Sequence, residues 1–145
     1  MTIAATWSQI VSMVKATSGI ITCSTTLPST VNSADLPLAY VTVGRGTWNE
    51  HAERLKRQVR LYNIHVLVKP VAQGQYPDEG YQAAMPILNA LGNTFLDDPT
   101  LGGTVDYIGS GARPQFEDGG VSIETFGGVT YHGFELRLQV TEKST

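Results

Sequence analysis

The sequence predicts an α+β fold, an antiparallel or mixed β-sheet with two main helices packed on it, and three patterns carry that reading. Residues 3–14 and 77–91 place apolar side chains at three- and four-residue spacing, the period of a helix with one buried face. Residues 57–69 and 129–141 alternate with period two, as strands do. The elements follow in the order helix, strands, helix, strands with hairpin-like connections, which places the helices on a face of the sheet.

In the first helix Ile3, Trp7, Ile10, Val11 and Val14 form the apolar stripe, and Ser18-Gly19 supplies the stop. A short strand is expected at 20–23, then an irregular Ser/Thr-rich loop holding Pro28. Residues 38–43 are apolar and β-branched between Pro37 and Gly44, a strand. Residues 45–56 are polar and charged and read as a loop leading into the next strand. Along 57–69, Val59, Leu61, Asn63, His65 and Leu67 share one face, and Arg60, Tyr62, Ile64, Val66 and Val68 the other.

Residues 74–77 are expected to turn, and Pro77 suits the first position of a helix, with Asp78 and Glu79 at the positive end of its dipole. The expected stripe is Tyr81, Ala84, Met85, Leu88 and Leu91, with a bend at Pro86 and an end at Gly92-Asn93. Strands are expected at 104–108, 121–126 and 129–141, the last two joined by a Gly127-Gly128 hairpin turn. Phe134, Leu136, Leu138 and Val140 should face inward, and Glu135, Arg137 and Gln139 outward. No linker divides the chain, so residues 1–145 read as one domain.

Composition narrows the function. The chain is 41% hydrophobic, enough for a core, but only 16% charged, which hints that part of its surface meets protein. A formal charge of −3 lacks the cationic footprint of a free-standing nucleic-acid binder. Cys23 is the sole cysteine, so no intrachain disulfide is possible, and a small buried side chain is its expected role. The start of the chain lacks a signal-peptide pattern, and no apolar run approaches the roughly 20 residues that span a bilayer. A soluble protein made in the cytoplasm is expected.

Catalytic and cofactor signatures do not emerge. His51, His65 and His132 have no metal-ligand spacing, although His65 and His132 could meet across a sheet. Gly44-Arg45-Gly46 is too short to cradle phosphate, and Gly109-Ser110-Gly111 is not a nucleophile elbow. Asp97-Asp98 and Glu117-Asp118 read as solvated turn carboxylates. The expectation is no enzyme, no cofactor and no metal.

One segment stands out. Arg45, Arg54, Lys56, Arg57 and Arg60 crowd together against Glu50 and Glu53, with Trp48 among them. Three readings are open: a solvated hairpin tip, a protein interface with Trp48 as anchor and the cations as directed partners for carboxylates, or a contact with nucleic-acid phosphates. The candidate interface residues are therefore Arg45, Trp48, Arg54, Lys56, Arg57 and Arg60.

From Leu36 onward the chain resembles the tail terminator (tail completion) proteins of long-tailed bacteriophages and the related small neck proteins. The resemblance lies in Leu36-Pro-Leu-Ala-Tyr-Val-Thr-Val-Gly, the strand Tyr62-Asn-Ile-His-Val-Leu-Val and the helix before Leu88-Asn-Ala-Leu. It continues through Asp98-Pro-Thr-Leu-Gly-Gly-Thr-Val and the closing Tyr131-His-Gly-Phe-Glu-Leu-Arg-Leu-Gln-Val. The amphipathic first helix fits too, whereas the basic segment matches no motif of the family. The resemblance implies a virion protein of the tail or neck. It would form a homo-hexameric ring on the tail tube protein, stop tube polymerisation, and present a docking face to the head-completion or neck protein. DNA would pass through the lumen without specific binding, and no membrane would be involved. A head-completion or head–tail connector role is the alternative within the same setting; a small enzyme or a nucleic-acid-binding module stands further off.

Overall fold

The structure, a computed structural model, describes residues 3–26, 31–50, 56–71, 77–109 and 115–144. It is an α+β fold with a seven-stranded mixed sheet and two helices. Helix α1 is Ile3–Lys15 and α2 is Pro77–Asp97. The strands are β1 Thr22–Ser24, β2 Leu38–Glu50, β3 Lys56–Pro70, β4 Tyr107–Ile108, β5 Phe116–Asp118, β6 Ser122–Phe126 and β7 Val129–Ser144.

The sheet runs β1-β2-β3-β7, and β4, β5 and β6 line up along the far edge of β7. Among the described residues only β1 is parallel to its neighbour, pairing Thr22–Ser24 with residues 38–40 of β2. Strands β2, β3 and β7 are long and antiparallel, with Tyr40 opposite His65 and His65 opposite Glu135. Strands β6 and β7 are joined at Gly127 and Gly128, both at positive φ, a conformation glycine reaches without the Cβ clash of other residues.

Period-two alternation decides which face is buried. Tyr62, Ile64 and Val66 of β3 and Phe134, Leu136, Leu138 and Val140 of β7 fill the main core, as their alternation predicts. Both helices add to the same cluster: Ile10, Val11 and Val14 from α1, and Ala84, Ile87, Leu91 and Phe95 from α2. The indole N–H of Trp7 donates to the Val41 carbonyl at 2.9 Å, tying α1 to β2. On the opposite face Leu36, Leu38, Leu67 and Tyr131 form a second, smaller cluster, with Tyr40 and Phe126 packed against it. Gly133 lies where a Cβ would sit 2.2 Å from the Val66 carbonyl oxygen, so β3 and β7 approach closely only because that position carries no side chain.

Several expectations change. Helix α2 does not end at Gly92-Asn93 but runs to Asp97, because Phe95, fully buried, anchors the last turn and packs edge-on against Phe116 at 6.4 Å. Tertiary burial outweighs the local glycine signal. Its buried stripe is Ala84, Ile87, Leu91 and Phe95, with Leu88 partly buried; Tyr81 and Met85 are exposed instead. Strand β2 continues through 45–50, where a loop was expected, because β3 offers it a full antiparallel ladder past a bulge between Val43 and Gly46. Of 104–108 only Tyr107–Ile108 is strand, while Glu117-Asp118, expected as turn carboxylates, belong to the strand Phe116–Asp118 that pairs with β7. The expected turn at 74–77 falls outside the described residues apart from Pro77. Among the described residues no helix is long and apolar enough to cross a membrane.

Candidate functional site

The basic segment is strand on both sides rather than a loop, and the alternation of β3 divides it. Arg57 lies opposite Asn49 and Lys143, and Arg60 opposite Gly46 and Val140; three residues apart on one strand, the two point to opposite faces. Arg45 is exposed within the bulge of β2, and Trp48 keeps 56% of its surface exposed. Lys56 opens β3, pairing with Glu50 and Ser144 through the backbone, while Arg54 lies outside the described residues.

Arg60 is not a free cation. Its Nη1 donates to the Gly44 carbonyl at 3.0 Å, its Nε to Gln58 Oε1 at 3.1 Å, and its guanidinium lies 5.7 Å from the Trp48 ring centroid. Gly46 makes this possible, since a Cβ there would come within 2.7 Å of the guanidinium carbon. The chain of bonds runs inward. Gln58 Nε2 donates to Glu142 Oε2 at 3.0 Å, and the Thr6 hydroxyl of α1 donates to Glu142 Oε1. Gln58 and Glu142 are both buried, so a carboxylate at the inner end of the sheet connects through Gln58 to the guanidinium beneath Trp48. Burial, reinforced by the Glu142 charge, pushes the neighbouring Tyr62 phenol up to about 12. Sequence spacing gave no hint of this network, because Thr6 and Glu142 are 136 residues apart.

The outer edge of β2 is open beyond Gly44, the Val41 and Gly44 carbonyls being taken by Trp7 and Arg60. Strand β1 covers only residues 38–40, and among the described residues no strand pairs with β2 from 41 to 50 on that side. On the far side of the sheet β4 and β5 carry exposed Asp106, Glu117 and Asp118 in or beside them. Beside them a groove is lined by Met85, Leu88, Leu96, Phe116 and Leu136, with Met85 and Leu96 exposed.

A second cluster gathers on the face opposite the helices. His65, Glu124 and Glu135 come from β3, β6 and β7, and one ligand atom of each lies within 4.8 Å of the others. Tyr40 stacks on the His65 ring at 4.7 Å and 11°, and Thr42 Oγ1 lies 3.2 Å from His65 Nε2. Arg137 Nε reaches Glu135 Oε1 at 3.4 Å. Burial lowers the His65 pKa, against the pull of Glu135; burial and then Glu135 raise that of Glu124; burial and both glutamates raise that of Tyr40. The chemistry on offer is cation binding by an imidazole and two carboxylates. Alternation places His65 and Glu135 on outward faces, but only the strand register puts them opposite each other and only the β6–β7 hairpin delivers Glu124. His65 does not meet His132, which is buried against Tyr81 and Gly80 of α2. Cys23 is buried in the core, and burial raises its thiol pKa, with Lys15 opposing. No protein-family model matches the sequence, and no curated protein matches it.

Proposed function

We propose that the chain is a structural subunit that closes head to tail into a ring, acting as a tail terminator: it caps a tail tube, stops its growth and offers a docking face to the neck. The single observation that carries this reading is the open edge of β2 at residues 45–50, with Trp48 and Arg45 exposed along it. An uncovered edge is a template for another chain's backbone, and proteins that keep one either blunt it or use it. The bulge between Val43 and Gly46 restricts which partner fits, so the edge admits a matched surface rather than any strand.

The topology suits a heterologous contact. The β2 edge lies on one side of the sheet and β4–β6 on the other, so the second side of one subunit is available to the first side of the next. Arg45 on the near side and Glu117 and Asp118 on the far side are complementary in sign. A ring results when the rotation per contact closes; the same contact without closure would give a filament. The resemblance in element order adds the tail setting.

Mass measurement of the purified protein over a range of micromolar concentrations tests the reading. A discrete ring mass, or a monomer that forms rings on isolated tail tubes, is expected; a protein that stays monomeric in both settings overturns it. Particles assembled without this protein should carry overlong tails. Tails of normal length on leaking heads would reassign it as a connector.

A further inference from the structure

We propose that His65, Glu124 and Glu135 form a zinc-class divalent-metal site that pins the β6–β7 hairpin onto the outer face of the sheet. The three side chains come from three strands, are all half-buried, and already hold their ligand atoms within 4.8 Å of one another. Around a tetrahedral zinc with bonds of about 2.1 Å, ligand atoms lie roughly 3.4 Å apart, so rotation of the two glutamate side chains suffices to close the set.

The imidazole is already oriented. Tyr40 stacks on one face of the ring and Thr42 Oγ1 lies 3.2 Å from Nε2, so the ring is held from two directions. A ligating histidine normally has its ring orientation fixed by such neighbours. The carboxylates supply the charge argument. Among the described residues no cation pairs with Glu124, which stands half-buried beside Glu135. Arg137 approaches Glu135 at 3.4 Å but is itself half-exposed and free to swing aside. A divalent ion would balance both carboxylates, and the mixed imidazole–carboxylate set favours zinc over magnesium, which takes oxygen ligands. Three protein ligands leave a fourth position for water.

Calorimetric titration of chelator-treated full-length protein with zinc chloride tests this, alongside thermal melts. One zinc per chain and a higher Tm are expected. His65→Ala and Glu124→Gln should each weaken binding by at least about tenfold. Glu79→Gln, on exposed α2, should bind as the parent does, and magnesium chloride should give no heat. Cobalt should give visible absorption bands that His65→Ala abolishes. Should His65→Ala fail to fold, Glu124→Gln decides, because it alters only charge at a half-buried position. Zinc binding weaker than about 1 mM, or uptake that survives both variants, overturns the site. Ring formation is measured separately, so failure here leaves the assembly reading standing.

Discussion

Replacing Trp48 by alanine separates a recognition surface from an ordinary exposed strand. The side chain keeps 56% of its area exposed. With roughly 250 Å² for a tryptophan, about 140 Å² is free to be covered. At about 25 cal/mol per Å² that corresponds to about 3.5 kcal/mol, and ordering costs reduce it to about 2–3 kcal/mol, in the range of interface anchors. Each subunit contact should therefore weaken by roughly 30- to 150-fold. Within the monomer the variant loses the stacking on Arg60, about 0.5–1 kcal/mol at an exposed site, and the burial of the remaining side-chain area, roughly 110 Å², at most about 2.7 kcal/mol. Sedimentation velocity over a dilution series reads the first effect, and thermal melting reads the second. The expected pattern is a ring that dissociates at far higher concentration while the monomer still melts cooperatively, with a Tm lower by about 10 °C at most. Identical dilution curves for parent and variant would refute the assignment of this edge as an interface.

Two further outcomes test the site and the core. Glu124→Gln should stabilise metal-free protein at pH 7, by well under about 1 kcal/mol after solvent screening, and so raise its Tm slightly. The sign follows from the raised pKa in the folded protein: Glu124 adds stability below its unfolded value of 4.5 and loses it as pH rises through the folded value, so the gain should vanish near pH 4. A Tm gain that persists at pH 4 would remove the ionisation argument. Phe95→Ala should cost about 3–5 kcal/mol, as deletion of a fully buried phenylalanine does, whereas Met85→Ala, 53% exposed, should stay within about 0.5 kcal/mol. Equal effects by chemical denaturation would mean that the buried face of α2 is misassigned.

The sequence carries the fold wherever one face of an element is buried and the other is wet. On β7, Phe134 to Val140 alternate with Glu135, Arg137 and Gln139, and both faces are as the pattern requires. Helix α1 likewise follows its stripe, though Thr6 is buried within it because Glu142 supplies a partner for its hydroxyl. The reading failed where tertiary contact overrode a local signal: Gly92-Asn93 has the form of a stop, and Phe95 carries the helix past it. Arg45 to Glu50 looks like a loop by polarity, but backbone pairing with β3 does not depend on polar side chains. The candidate residues were found as a charge cluster, yet charge alone could not show that Arg57 and Arg60 face opposite ways. The His65–Glu124–Glu135 cluster needs register and a hairpin fold-over, and neither is written in residue spacing.

The division of labour within the basic segment bears on how an edge can be both open and selective. Arg60 belongs to the interior: it bridges the Gly44 carbonyl, Gln58 and the Trp48 ring, and Gln58 in turn rests on Glu142 and Thr6. Removing it would leave the Gly44 carbonyl and the Gln58 amide without their donor, and would free the Trp48 ring to reorient. Among the described residues Arg45 has no such role, and it stays exposed. The indole therefore lies over a guanidinium that the network holds in place as far as α1, and an anchor supported this way loses less freedom on association. A strand edge held this way recognises one geometry, which is what a subunit needs if it is to close a ring and then accept no more copies.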